Sequence, residues 1–216
     1  MSLHRTLIAA SILACLLAAC DRGPSKTAAK TEVPATAPTS INDIELISRD
    51  ALFGNPERAN VQISPDGKYL SWVAAVDGVM NVWVAPAEDM TKARAVTADK
   101  ARGITRYFWS YRPDTLLYMR DTGGDEDFHV FSVDLTSGES RDLSNFPKTR
   151  AWVVGLSHLH PESVLVGMND RDPKWHDLYR VDLTTGQRTL VEKNNLEIAD
   201  YIADLDFKVR MATKTR

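Results

Sequence analysis

Ser64-Pro65-Asp66-Gly67, followed one residue later by Tyr69-Leu70-Ser71-Trp72-Val73, decides how this chain is read. Proline presets φ for the first corner of a tight turn, aspartate bonds the backbone ahead of it, and glycine takes the positive φ that closes the turn. The Tyr, Trp and Val beyond it are the residues of a half-buried strand. The mark recurs as Arg112-Pro113-Asp114 before Leu116-Leu117-Tyr118-Met119 and as His160-Pro161-Glu162 before Val164-Leu165-Val166-Gly167, at a spacing of about 48 residues. It specifies a structural turn between a first and a second strand, not chemistry.

A second mark lies further along each unit. Asn81-Val82-Trp83-Val84, His129 to Leu135 and Asp177 to Leu183 each read as a third strand. The latter two run into Thr136-Ser137-Gly138 and Thr184-Thr185-Gly186, which are turn sequences, and then into fourth strands at Ser140 to Leu143 and Gln187 to Val191. Four strands in a unit of this length make a propeller blade. The expected fold is therefore all-β, an incomplete β-propeller over 61–216 with blades at 61–103, 104–148 and 149–194 and the start of another at 195–216. Closed propellers have roughly four to eight blades, so this run leaves two open sheet edges.

Ahead of the strands the pattern differs. Residues 41–60 form a lead-in in which Ile44, Leu46, Ile47, Ala51 and Leu52 fall at mixed helical spacing, and Gly54-Asn55-Pro56 ends it, so a short helix is expected. Residues 20–40 are Ala, Thr, Pro, Lys and Ser with hardly a large apolar side chain, which cannot offset the entropy of ordering and reads as a flexible tether. Residues 1–19 read as an export signal. His4 and Arg5 supply the positive start, Thr6 to Leu17 the apolar run, and Ala18 and Ala19 the small residues before Cys20. The run is shorter than the roughly 20 residues that span a bilayer. Leu17-Ala18-Ala19-Cys20 resembles a bacterial lipobox, which implies lipidation of Cys20, membrane attachment through that lipid and a place on the periplasmic side of a bacterial membrane. Asp21 resembles the residue that holds some lipoproteins at the inner membrane.

Composition narrows the function classes. The formal net charge is −3 and the Lys and Arg residues form no cluster, which argues against a nucleic-acid partner. With Cys15 removed and Cys20 acylated, no thiol remains among the chain's 2 cysteines for a disulfide or a thiolate metal site.

From Leu46 onward the sequence resembles the N-terminal propeller of prolyl oligopeptidase family serine peptidases, in particular bacterial dipeptidyl and acylaminoacyl peptidase-like members. The residues that carry the resemblance are Asn55-Pro56, Ser64-Pro65-Asp66-Gly67, Val76-Asp77-Gly78 with Asn81 to Val84, Gly124-Asp125-Glu126-Asp127-Phe128, and Val-Asp-Leu-Thr at 133–136 and 181–184. The resemblance implies a propeller that gates and supports an α/β-hydrolase domain acting on short peptides, with that domain missing from this chain. The nucleophile elbow of such enzymes is Gly-x-Ser-x-Gly. Ser25, Ser140 and Ser157 each stand two residues after a glycine, but Thr27, Asp142 and Leu159 replace the second glycine. No catalytic residue is assigned, and no cofactor is expected. The other reading is a non-catalytic periplasmic propeller lipoprotein that binds a protein or ligand.

Three further features bear on a candidate site. Gly123 to Phe128 with Asp121 gathers carboxylates that could face Ca²⁺, yet it lacks the spacing of a calcium loop and reads as a solvated connection between second and third strands. His158 and His160 would share one face of a strand, with no third ligand nearby, so no metal site is assigned. Trp72, Trp83, Trp109, Trp152 and Trp175 fall on or next to expected strands, where packing between blades is their role, with ligand stacking considered for Trp175.

Overall fold

In the computed structural model of the protein, Ile44 and residues 46–214 are described; the export signal, Cys20 and the tether expected at 1–40 lie outside them. The lead-in helix is confined to Arg49–Phe53 (α1), shorter than the sequence pattern suggests. Ser48 sets its start, accepting a hydrogen bond from the Ala51 amide, and the Gly54 amide closes the turn onto Asp50.

Among the described residues fourteen strands follow, β1 (Ala59–Ile63), β2 (Tyr69–Val76), β3 (Val79–Pro86), β4 (Arg94–Ala95), β5 (Tyr107–Trp109), β6 (Thr115–Arg120), β7 (His129–Asp134), β8 (Ser140–Asp142), β9 (Ala151–Leu156), β10 (Ser163–Met168), β11 (Asp177–Asp182), β12 (Arg188–Glu192), β13 (Asp200–Ala203) and β14 (Val209–Thr213). They build three four-stranded antiparallel sheets, β1 to β4, β5 to β8 and β9 to β12, each in sequence order, and a two-stranded sheet of β13 and β14. This is the expected run of three blades and the start of a fourth. The first blade turns from β2 to β3 through Asp77-Gly78, both at positive φ (50° and 84°), between the paired Val76 and Val79. That is the two-residue hairpin whose twist matches its strands.

Packing explains why the second strands are continuous apolar runs. Sheets stacked face to face bury a middle strand on both sides, so alternation disappears. Along β6, Leu116 and Tyr118 join Val73, Val82 and Ile104 in the core between the first two sheets. Their neighbours Leu117 and Met119 join Val164, Val166 and Met168 in the core between the second and third. Leu165 and Leu178 face the other way, onto Tyr201 and Phe207 of the last sheet. Each apolar layer is thus shared by two blades.

The head of each third strand carries a polar residue that clasps the end of its own blade. In the first, Asn81 Oδ1 accepts from Thr97 Oγ1 (2.9 Å) and the Asp99 amide (2.7 Å). In the second, His129 Nδ1 meets Asp142 Oδ2 at 2.6 Å. In the third, Asp177 accepts from Nε and Nη2 of Arg171, both at 2.7 Å, and from the Asn194 amide at 2.8 Å. These groups satisfy buried polar positions where the chain leaves one sheet for the next.

Candidate functional site

The turn residues singled out from the sequence all lie between a first and a second strand. Ser64, Pro65, Asp66 and Gly67 join β1 to β2, Pro113 and Asp114 join β5 to β6, and Pro161 and Glu162 join β9 to β10. In the first turn Asp66 Oδ1 accepts from Ser64 Oγ (2.7 Å) and the Lys68 amide (3.2 Å), and Gly67 has φ 74°. The Lys68 ammonium and the Ser64 hydroxyl hold the Asp66 carboxyl down at about 2. The three turns are not in the register their prolines suggest. The carbonyls of Lys68, Asp114 and Glu162 each accept the amide just past the third strand, from Ala87, Leu135 and Leu183 respectively, all at 2.8 Å. Structurally equivalent positions are therefore 46 and then 48 residues apart, and Pro113 and Pro161 occupy the place of Gly67, not of Pro65.

The turns from third to fourth strand repeat closely. Asp134 Oδ1 accepts the amides of Thr136 (3.0 Å) and Ser137 (2.8 Å), and Asp182 Oδ1 those of Thr184 (2.9 Å) and Thr185 (2.7 Å). Gly138 and Gly186 follow at φ 75° and 74°. The amide hydrogen bonds from Ser137 and Thr185 are the main force holding both carboxyls below their usual range. These aspartates shape turns.

The acidic segment 121–128 is a connection between β6 and β7, as its sequence suggests. Asp121 is buried and pairs with Arg102 at 3.4 Å, while Asp125 Oδ1 accepts from the amides of Thr122 and Asp127. His158 and His160 lie in the β9–β10 turn instead of on a strand. His158 meets the Tyr111 ring edge-on at 5.8 Å, and His160 stacks on Phe207 at 5.3 Å and faces Asp206. Among the described residues no group of three His, Cys, Asp or Glu side chains is placed to hold a metal. Ser157 donates its hydroxyl to the Leu205 carbonyl at 2.6 Å, and Ser140 Oγ is paired with Tyr118 Oη at 2.7 Å. Trp175 lies under the Lys174 ammonium at 4.8 Å, and Trp72 and Trp109 are core residues.

One cleft was not legible in the sequence. It lies between the second and third sheets, has a volume of about 270 Å³, and combines Arg106 and Arg150 with Met119, Phe128 and Trp152. Each arginine immediately precedes the first strand of its sheet, β5 or β9. Two neighbours hold the Trp152 indole. His176 lies 4.0 Å from it centroid to centroid, and a Cβ on Gly167 would come within 3.3 Å of its Cε2. Burial above all, then the Arg150 charge, pushes the His176 imidazole down to about 4, so it is neutral under Trp152 at pH 7. Backbone bonds fix the arginines' positions. Arg150 N donates to Asn169 Oδ1 at 2.6 Å, and Arg106 O accepts from Met119 N at 3.1 Å. Among the described residues neither guanidinium forms an ion pair. Residues 44 apart in sequence form this site, so no local pattern marks it.

No protein-family model matches the chain. Over 181 residues, 84% of its length, it is 66% identical to the dipeptidyl aminopeptidase BIII of Pseudoxanthomonas mexicana. It is 29% identical over 179 residues, 79% of its length, to the dipeptidyl peptidase family member 6 of Caenorhabditis elegans. The chain spans about a quarter of these relatives, 26% and 24% of their lengths. A crystal structure of a puromycin hydrolase mutant superposes with a TM-score of 0.51 at 16% identity, covering 70% of this chain and 25% of that one, which supports the fold alone.

Proposed function

We propose, from the premise that this chain is the β-propeller part of a dipeptidyl peptidase-like protein of the prolyl oligopeptidase family, that it acts as gate and scaffold for a peptidase whose nucleophile lies outside it. The observation that carries this is the 66% identity to a dipeptidyl aminopeptidase over a stretch that folds as blades. Sequence chemistry agrees, since no Gly-x-Ser-x-Gly occurs in the chain. Among the described residues no hydrogen bond joins a serine hydroxyl to an imidazole. Among the described residues the histidine–carboxylate pair at hydrogen-bond distance, His129 with Asp142, has a neighbouring serine, but Ser144 Oγ is turned to Asp142 and the Val130 amide. A triad needs the serine on the imidazole.

The purified chain is expected to leave dipeptidyl nitroanilides intact and to stay unlabelled by a serine-reactive fluorophosphonate. Labelling that depends on Ser140, Ser144 or Ser157 overturns the proposal. The proposal includes export and acylation at Cys20, supported by the apolar run and small residues before it. Metabolic labelling with palmitate in an expressing bacterium tests this, with incorporation expected for the natural chain and none for C20A; equal incorporation by both removes the anchor.

A further inference from the structure

Two arginines, Arg106 and Arg150, line one cleft of a chain whose net charge is −3. Arg58, Arg106 and Arg150 each stand one residue before the first strand of a blade. Arg58 is stacked on the Trp72 ring at 5.1 Å. Arg106 and Arg150 instead border the cleft between the second and third sheets, and among the described residues they have no acidic partner. Planar guanidinium groups bind a carboxylate through paired hydrogen bonds, and two arginines lining one recess provide the charge to hold an anion there. Beside them, Met119, Phe128 and Trp152 offer an apolar and aromatic wall. The indole packs against His176 and Gly167, which fixes its position at the cleft. At about 270 Å³ the cleft falls just below the roughly 300–1,000 Å³ of drug-sized pockets, a size suited to one or two amino-acid residues.

We propose that this cleft binds the C-terminal residue of a peptide that ends in an apolar or aromatic side chain, with the terminal carboxylate between Arg106 and Arg150 and the side chain against Phe128 and Trp152. The cleft brings arginines and an apolar wall together, and a peptide C-terminus carries a carboxylate and a side chain on the same carbon. The choice of a peptide as its source rests on the peptidase reading above; the anion-plus-apolar chemistry does not. The two fail separately, because binding is measured on this chain alone with a probe that has no bond for a dipeptidyl peptidase to cut.

The test is calorimetric titration of the full chain with N-acetyl-L-phenylalanine and with its C-terminal amide. The acid is expected to bind, and the amide to bind about tenfold more weakly or less, since it lacks the charge that the guanidiniums recognise. R106Q and R150Q are each expected to weaken the acid about tenfold with an unchanged melting midpoint, and W152A to weaken acid and amide alike. If a glutamine variant melts earlier, R106K and R150K serve in its place, keeping the charge but losing the fork, with weakened acid binding again expected. No binding of the acid, equal binding of acid and amide, or full binding by an R106Q/R150Q double variant overturns the proposal.

Discussion

Removing either partner of the Arg171–Asp177 clasp should destabilise the third blade, and removing the arginine should cost more. The Asp177 side chain is 2% exposed and that of Arg171 36% exposed. In R171A the carboxylate stays buried with one remaining donor, the Asn194 amide. Stranding a buried charge in this way costs about 3–5 kcal/mol. In D177A the guanidinium can turn to water, so what is lost is the hydrogen bonds and a partner for one buried amide, about 2 kcal/mol. The pH dependence separates the two further. Burial pushes the Asp177 carboxyl up, but the Arg171 hydrogen bonds and the Asn194 amide together outweigh it and hold the group below its usual range. Its contribution is therefore present at neutral pH and lost as pH falls through that depressed value. Without Arg171, only the Asn194 amide and the nearby Lys193 charge oppose burial, so the carboxyl is expected to rise above its unfolded value, protonation relieves R171A as pH falls, and its deficit shrinks between pH 7 and pH 5. Urea unfolding of the full chain followed by far-ultraviolet circular dichroism measures both quantities. An R171A deficit no larger than that of D177A at pH 7, or one unchanged at pH 5, refutes the reasoning.

G138A should cost about 1 kcal/mol purely through backbone strain, because Gly138 sits at φ 75° with open space around its Cβ direction, and the same unfolding curves measure it. His176, neutral when folded and held near 4, takes up its proton more readily in the unfolded chain, so stability should fall as pH drops from about 6.5 toward 4 by up to about 3 kcal/mol. H176Q should flatten that part of the profile, read as melting midpoints at pH 7 and 4.5; an equally steep loss in the variant excludes this imidazole as the cause. Along β14, Met211 is 63% exposed on a strand whose outer edge has no partner among the described residues. M211K should reduce concentration-dependent light scattering, and unchanged scattering would clear this edge as a site of association.

The strand plan was readable because its signals are local. Leu116 to Met119 and Val164 to Met168 are apolar without alternation, as strands buried on both faces must be. Asp134 and Asp182 stand ahead of glycines that must take positive φ, which places the turns after β7 and β11 within a residue or so. What escaped depended on distance or on brevity. The last strand of the first blade is only Arg94–Ala95, too short for any periodicity. The prolines misled about register because proline suits several positions of a tight turn. The cleft escaped because Arg106, Phe128 and Trp152 come from different strands and loops, and each alone resembles an ordinary surface or packing residue.

The clasps at the heads of the third strands use three different chemistries at one repeated position: an amide with a hydroxyl, an imidazole with a carboxylate, and a guanidinium with a carboxylate. Neighbouring modules of one array therefore answer differently to the solution around them. The amide fastening at Asn81 is blind to salt and acid, while the ionic one at Asp177 is lost once its carboxyl takes up a proton, so strong acidification would loosen the third module and leave the first module's fastening shut.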